Sequence, residues 1–96
     1  MQLAELTQFL DGYLNHAAMS DMSLNGLQVE AEGAEIKRVA LAVDASLAAI
    51  EGAIAANAQL LITHHGLFWG RPVALSGMVG RRVRTLIQAG LSLYTS

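Results

Sequence analysis

Cysteine is absent from these 96 residues, which removes disulfide frameworks, thiolate metal sites and cysteine nucleophiles, and fits a reducing compartment. Proline occurs once, at Pro72, and no low-complexity segment or charge block marks a linker. Charged residues make up 15% of the chain, against roughly 25% in ordinary soluble domains. The formal net charge of -2 leaves no surplus of Lys and Arg to neutralise phosphates, so no nucleic-acid partner is expected. No apolar run approaches the length of a transmembrane helix, and MQLAELTQFLDGYLN lacks the basic leader region of a secretory signal. No membrane association is expected, and the expected location is cytoplasmic.

What the chain has in abundance is apolar side chain, 53% of its residues. With so little charge, part of the surface should be covered, either by assembly into a homo-oligomer or by further chain. The length suits a single small core.

Leu3, Leu6, Phe9, Leu10, Tyr13 and Leu14 recur at helical spacing, which predicts an amphipathic helix over residues 2–15 with this stripe facing the core. The following HAAMSDMSLNGLQVEAEGAE has no sustained period and reads as a long connection with a short extended piece around Leu27 to Val29. Val39 to Val43 is a short apolar run ending at Asp44 and feeding SLAAIEGAIAANA, a helix that Asp44 or Ser46 can cap. Gly52 weakens that helix, and close packing of helix on sheet is its expected compensation. Gln59 to Thr63 and Leu91 to Tyr94 are two further apolar runs, separated by the helix-like VGRRVRTLIQAG with Gly90 as its terminal cap. Apolar strands alternating with helices predict an α/β fold, three-layer α/β/α with a mostly parallel sheet. Since residues 93–96 end a predicted strand, the chain reads as the N-terminal part of a single α/β domain, whose three-stranded sheet would have an exposed edge.

In such sheets ligands bind beyond the carboxyl ends of the strands. The polar residues there are Asp44, then Thr63, His64 and His65, then Thr95 and Ser96. Two of the chain's three histidines stand side by side in LLITHHG. Neighbours on a strand point to opposite faces, so both can serve one ligand only if the backbone turns, and Gly66 gives it that freedom. Neutral imidazoles are ligands for first-row metals, but a hydrogen-bonding role for the pair stays open, as does a capping role for Asp44. His16, at the end of the first helix, is explained by the helix dipole. Arg81, Arg82 and Arg84 read as a solvated helix face, with a phosphate or acidic partner as the sharper alternative. Phe68 and Trp69 read as buried anchors, or as a lid or oligomer contact beside the histidines.

Three segments in order, Ser20-Asp21 with NGLQV (Asn25 to Val29), VALAVDAS (Val39 to Ser46) and LITHHGLFW (Leu61 to Trp69), resemble the Nif-three-like family, also labelled type-two GTP cyclohydrolase I. The resemblance extends over essentially the whole chain, and ITHHG-x-FW is its most specific part. It implies an α/β protein with two divalent metal ions (Zn, Fe, Mn, Ni or Co), commonly a ring-shaped homohexamer. By that resemblance His64 and His65 are metal ligands, and Asp44 and Asn25 lie near the site, against substrate or behind the ligands. The remaining ligands it implies are an aspartate just after the strand at Leu91 to Tyr94 and a later histidine and glutamate, so the 96 residues alone are expected to be inactive. The expected function is metal-dependent hydrolysis of a nucleotide-like or phosphorylated small-molecule substrate. A metal-binding regulatory or interaction protein without turnover is the competing class, and a metal-free nucleotide-binding domain a weaker third.

Overall fold

The computed structural model describes residues 1–14, 25–33 and 35–96. His16 and Ser20-Asp21 lie outside the described residues. The elements are α1 (Leu3–Leu14), β1 (Gly26–Val29), β2 (Val39–Asp44), α2 (Leu47–Ala55), β3 (Leu60–His65), α3 (Gly77–Gln88) and β4 (Ser92–Thr95). They form an α/β fold with one four-stranded sheet in the order β1-β4-β3-β2.

The sheet is mixed rather than mostly parallel. Strands β2, β3 and β4 run parallel, joined through α2 and α3 as the alternation of apolar runs and helices predicts. Strand β1 pairs antiparallel with β4, Gly26 opposite Thr95 and Leu27 opposite Tyr94. The extended piece expected within the loop is therefore a strand, and it covers the edge of β4 that the sequence reading left open. Local pattern cannot reveal this pairing, because its two strands are far apart in the chain.

Two clusters of apolar side chains hold the sheet. Leu61 and Leu93 pack with Ile50 and Ala53 of α2 and with Val83 and Leu86 of α3. Leu60, Tyr94 and Ile36 pack with Leu3, Leu6, Leu10 and Leu14 of α1. Residues that alternate along β3 and β4 thus go to different helices, as the two-residue period of a strand requires. The Tyr94 hydroxyl donates to Asp11 Oδ1 at 2.6 Å, tying α1 to the sheet. Burial, then the Asp11 hydrogen bond and charge, push the Tyr94 phenol above its ordinary pKa.

Several expectations about individual side chains change. Phe9 and Tyr13 lie at the margin of the α1 stripe and are exposed, stacked on each other with centroids 5.8 Å apart. Strand β2 is not buried on both faces: it is an edge strand, and its Val39, Leu41 and Val43 are exposed. A β-carbon at Gly52 would meet nothing within 4 Å, so close helix-to-sheet packing does not account for this glycine. Gly90, by contrast, is a left-handed terminal residue at φ 68°, as predicted for the end of α3, and the Leu91 amide returns to the Leu86 carbonyl.

Candidate metal and ligand site at the carboxyl edge of the sheet

Strand β3 delivers both histidines to one edge of the sheet. The strand runs through His65, and the two imidazole centroids lie 4.5 Å apart with their planes tilted by 57°. His64 Nδ1 is 3.0 Å from the Ser96 carbonyl oxygen. A carbonyl only accepts, so this hydrogen bond puts the proton on Nδ1 and leaves Nε2 as the nitrogen with a free lone pair. That is how a ligating histidine is ordinarily oriented.

Asp44 sits opposite His65 in the β2–β3 register, and the Ala45 amide donates to the His65 carbonyl. The cap of α2 is Ser46, whose Oγ accepts from the Ala49 amide at 3.1 Å. Asp44 is thereby released from the capping role that the sequence left open, and its carboxylate is exposed at the end of the strand. Asn25 precedes Gly26, which pairs with Thr95, so the antiparallel strand carries it to the same edge. Antiparallel pairing thus brings the NGLQV segment beside the ends of three parallel strands.

Gly66 is needed for a reason other than the one its sequence position implied. It does not have a positive φ; instead, a β-carbon there would collide with Gln28 Oε1 and Thr95 Oγ1. The Gln28 amide reaches from β1 into this space. Its Oε1 accepts from the amides of Leu67 at 2.8 Å and Phe68 at 3.3 Å, and its Nε2 donates to the Phe68 carbonyl at 3.0 Å. The loop after the histidines is therefore stapled to β1, with Leu67 buried and Phe68 packed on the core beside it. Trp69 is not a buried anchor. It is 39% exposed and its ring stacks on His65, centroids 5.8 Å apart and planes within 28°.

These residues surround a cleft of ≈ 380 Å³ lined by Asp44, Ala45, Ser46, His65, Gly66, Trp69 and Arg82. Arg82 comes from α3 and, unlike Arg81 and Arg84, does not belong to the solvated face that is the first expectation for the arginine cluster. Helical spacing is the signal that could have found it, since Arg82 stands three positions after Val79 and four before the buried Leu86, while Arg81 and Arg84 are exposed. Near the carboxyl ends of β3 and β4, Thr63 and Thr95 are register partners, almost wholly buried, with hydroxyls that meet no partner among the described residues.

The donor chemistry at this edge suits a first-row metal: two imidazoles, one with its free lone pair fixed by a carbonyl, a nearby carboxylate, and buried hydroxyls. The number of ligands falls short. Among the described residues no group of three or more His, Asp or Glu side chains is arranged to hold an ion. A catalytic zinc site takes three protein ligands, so the described residues do not by themselves make up such a site.

The Duf34/NIF3 (NGG1p interacting factor 3) family model matches residues 1–96. The chain belongs to this family. Among its Duf34/NIF3 relatives, a Deinococcus radiodurans protein named GTP cyclohydrolase 1 type 2 homolog is 49% identical over 92 residues, covering 96% of this chain and 35% of the relative. A protein of the same name from Archaeoglobus fulgidus is 47% identical over 96 residues, covering all of this chain and 39% of its own length. The fold agrees with a crystal structure of a Thermus thermophilus protein at a TM-score of 0.93 and 43% identity, over 100% of this chain and 40% of that one. The chain thus spans well under half the length of the Duf34/NIF3 proteins it matches.

Proposed function

We propose that the whole protein is a dinuclear metal-dependent hydrolase of nucleotide-like or phosphorylated small molecules, and that His64 and His65 supply two of its metal ligands. The observation that carries this reading is the approach of the two imidazoles to 4.5 Å, with the His64 ring oriented by the Ser96 carbonyl. Bound divalent ions supply Lewis-acid chemistry suited to hydrolysing a phosphoester or a nucleotide ring. Asp44, opposite His65, serves as a carboxylate beside the ligands, able to hold a proton or orient a ligand. Asn25, just before β1, supports the same edge, and Gln28 and Gly66 keep the loop bearing Trp69 closed against it. The remaining ligands belong to residues outside these 96. Names of relatives such as GTP cyclohydrolase 1 type 2 homolog support a nucleotide-like substrate by kinship.

The three-layer arrangement belongs to the same reading, supported by α1 packing on one cluster and α2 and α3 on the other. So does a cytoplasmic homo-oligomer, a hexamer in the family resemblance; exposed Leu41, Val43, Phe9 and Tyr13 are the surface it would use. Those same residues favour the alternative, a metal-binding interaction protein without turnover.

Metal analysis and turnover of the full-length protein separate the two. The proposal expects about two ions per chain and metal-dependent release of product from a nucleotide or phosphoester. Ions without turnover across such substrates would favour the interaction protein. His64→Ala and His65→Ala should each abolish stoichiometric uptake, and undiminished uptake would remove the metal assignment.

A further inference from the structure

The cleft beside His65 holds opposite charges that do not meet. Asp44 and Arg82 both line its ≈ 380 Å³, yet they form no ion pair; among the described residues the ion pair is Met1 with Glu35, at the other end of the sheet. Among the described residues neither an ion pair nor a hydrogen bond engages the Arg82 guanidinium. A guanidinium lining an open cleft without a protein acceptor is a donor fork available to a ligand, matched in geometry to carboxylate or phosphate. The same wall carries the N-terminal end of α2 at Ser46, whose dipole adds positive potential. Across the cleft Trp69 is 39% exposed, held by its stack on His65 and by the Gln28 staple on the loop that bears it. An indole kept half in solvent beside a polar cleft is a ready surface for a planar group.

We infer that this cleft is the substrate-binding subsite of the protein, in which Arg82 takes the anionic group of the substrate and Trp69 stacks against a planar ring attached to it. The substrate class is an anionic compound bearing a planar heterocycle, of nucleoside monophosphate type. Asp44 and His65 occupy the side of the cleft where the strands end, and Arg82 enters from α3, so one ligand can meet the metal-side residues and the arginine at once. The volume lies within the range of small-ligand sites. This inference rests on the proposed function for the reaction, but not for the binding.

The test is isothermal titration of the full-length protein, stripped of metal with chelator, with inorganic phosphate, AMP and adenosine. The parent should bind AMP more tightly than phosphate. Arg82→Gln should weaken both anions about tenfold or more and leave adenosine unaffected. Trp69→Ala should weaken AMP and adenosine about fivefold or more while leaving phosphate as it was. Arg82→Lys, which keeps the charge without the fork, should bind phosphate between the parent and Arg82→Gln. Cobalt uptake, followed separately, should be the same in Arg82→Gln as in the parent. Phosphate binding that Arg82→Gln does not change would overturn the assignment, as would AMP binding no tighter than phosphate. Cobalt uptake that survives loss of both histidines would sink the metal proposal while leaving these binding results to stand by themselves.

Discussion

The side-chain amide of Gln28 holds the Phe68 backbone on both sides of its α-carbon, accepting from its N–H and donating to its carbonyl, while also accepting from the Leu67 N–H. One side chain on β1 thus satisfies three backbone groups of the loop that carries Trp69. Replacing Gln28 by Ala strands those partly buried groups and should cost about 1–3 kcal/mol. Denaturant unfolding measures the loss. Hydrogen exchange should localise it, with protection falling at the Leu67 and Phe68 amides first. Unchanged protection there would show that the loop holds itself without the glutamine.

Ser46 caps α2 through Ala49, and Asp44 does not. Ser46→Ala should therefore lower stability by about 1 kcal/mol, whereas Asp44→Ala should alter it by no more than about 0.5 kcal/mol. Equal losses in the two variants would return Asp44 to a structural role.

Tyr94 gives the fold an alkaline limit. Its phenol is pushed up by burial and by Asp11, so the folded chain keeps this proton after the unfolded chain has begun to lose it. The contribution is complete below the ordinary phenol value of about 10 and is lost as pH rises above it toward the folded value. Unfolding free energies at pH 8 and pH 11 should fall further in the parent than in Tyr94→Phe. Equal losses would mean that the Tyr94 proton is not linked to folding.

Gly52 lies inside α2 with open space where a β-carbon would project and without a left-handed backbone. Gly52→Ala should raise stability by about 0.5–1 kcal/mol, seen as a later urea midpoint at unchanged slope. A loss would point to a contact made by this position in the whole protein.

Much of the architecture was legible because short-range physics sets it. The apolar runs at Val39 to Val43 and Gln59 to Thr63 become parallel neighbours, and Ser46 and Gly90 end their helices as their chemistry requires. The histidine pair announced itself by standing at the end of an apolar strand. Less could be read wherever distant segments decide the outcome. Leu27 to Val29 is too short to declare itself a strand, and only β4 gives it a partner. Arg82 looked like its neighbours Arg81 and Arg84 until α3 was set against the sheet edge. Gly66 looked like a hinge, but what it provides is room for Gln28 and Thr95, residues remote from it in sequence.

The order β1-β4-β3-β2 also sets a timetable. Strand β4 is flanked by β1 and β3, and among the described residues β1 pairs with β4 alone, so this pairing cannot form until Ser92 to Thr95 are in place. During synthesis, β2, α2 and β3 can associate as they emerge, while the NGLQV segment must wait, unpaired, for the chain to reach β4. Ordering of the Gln28 staple, and of the indole it positions, is therefore expected to follow the rest, with the cleft taking its shape only when β4 is seated.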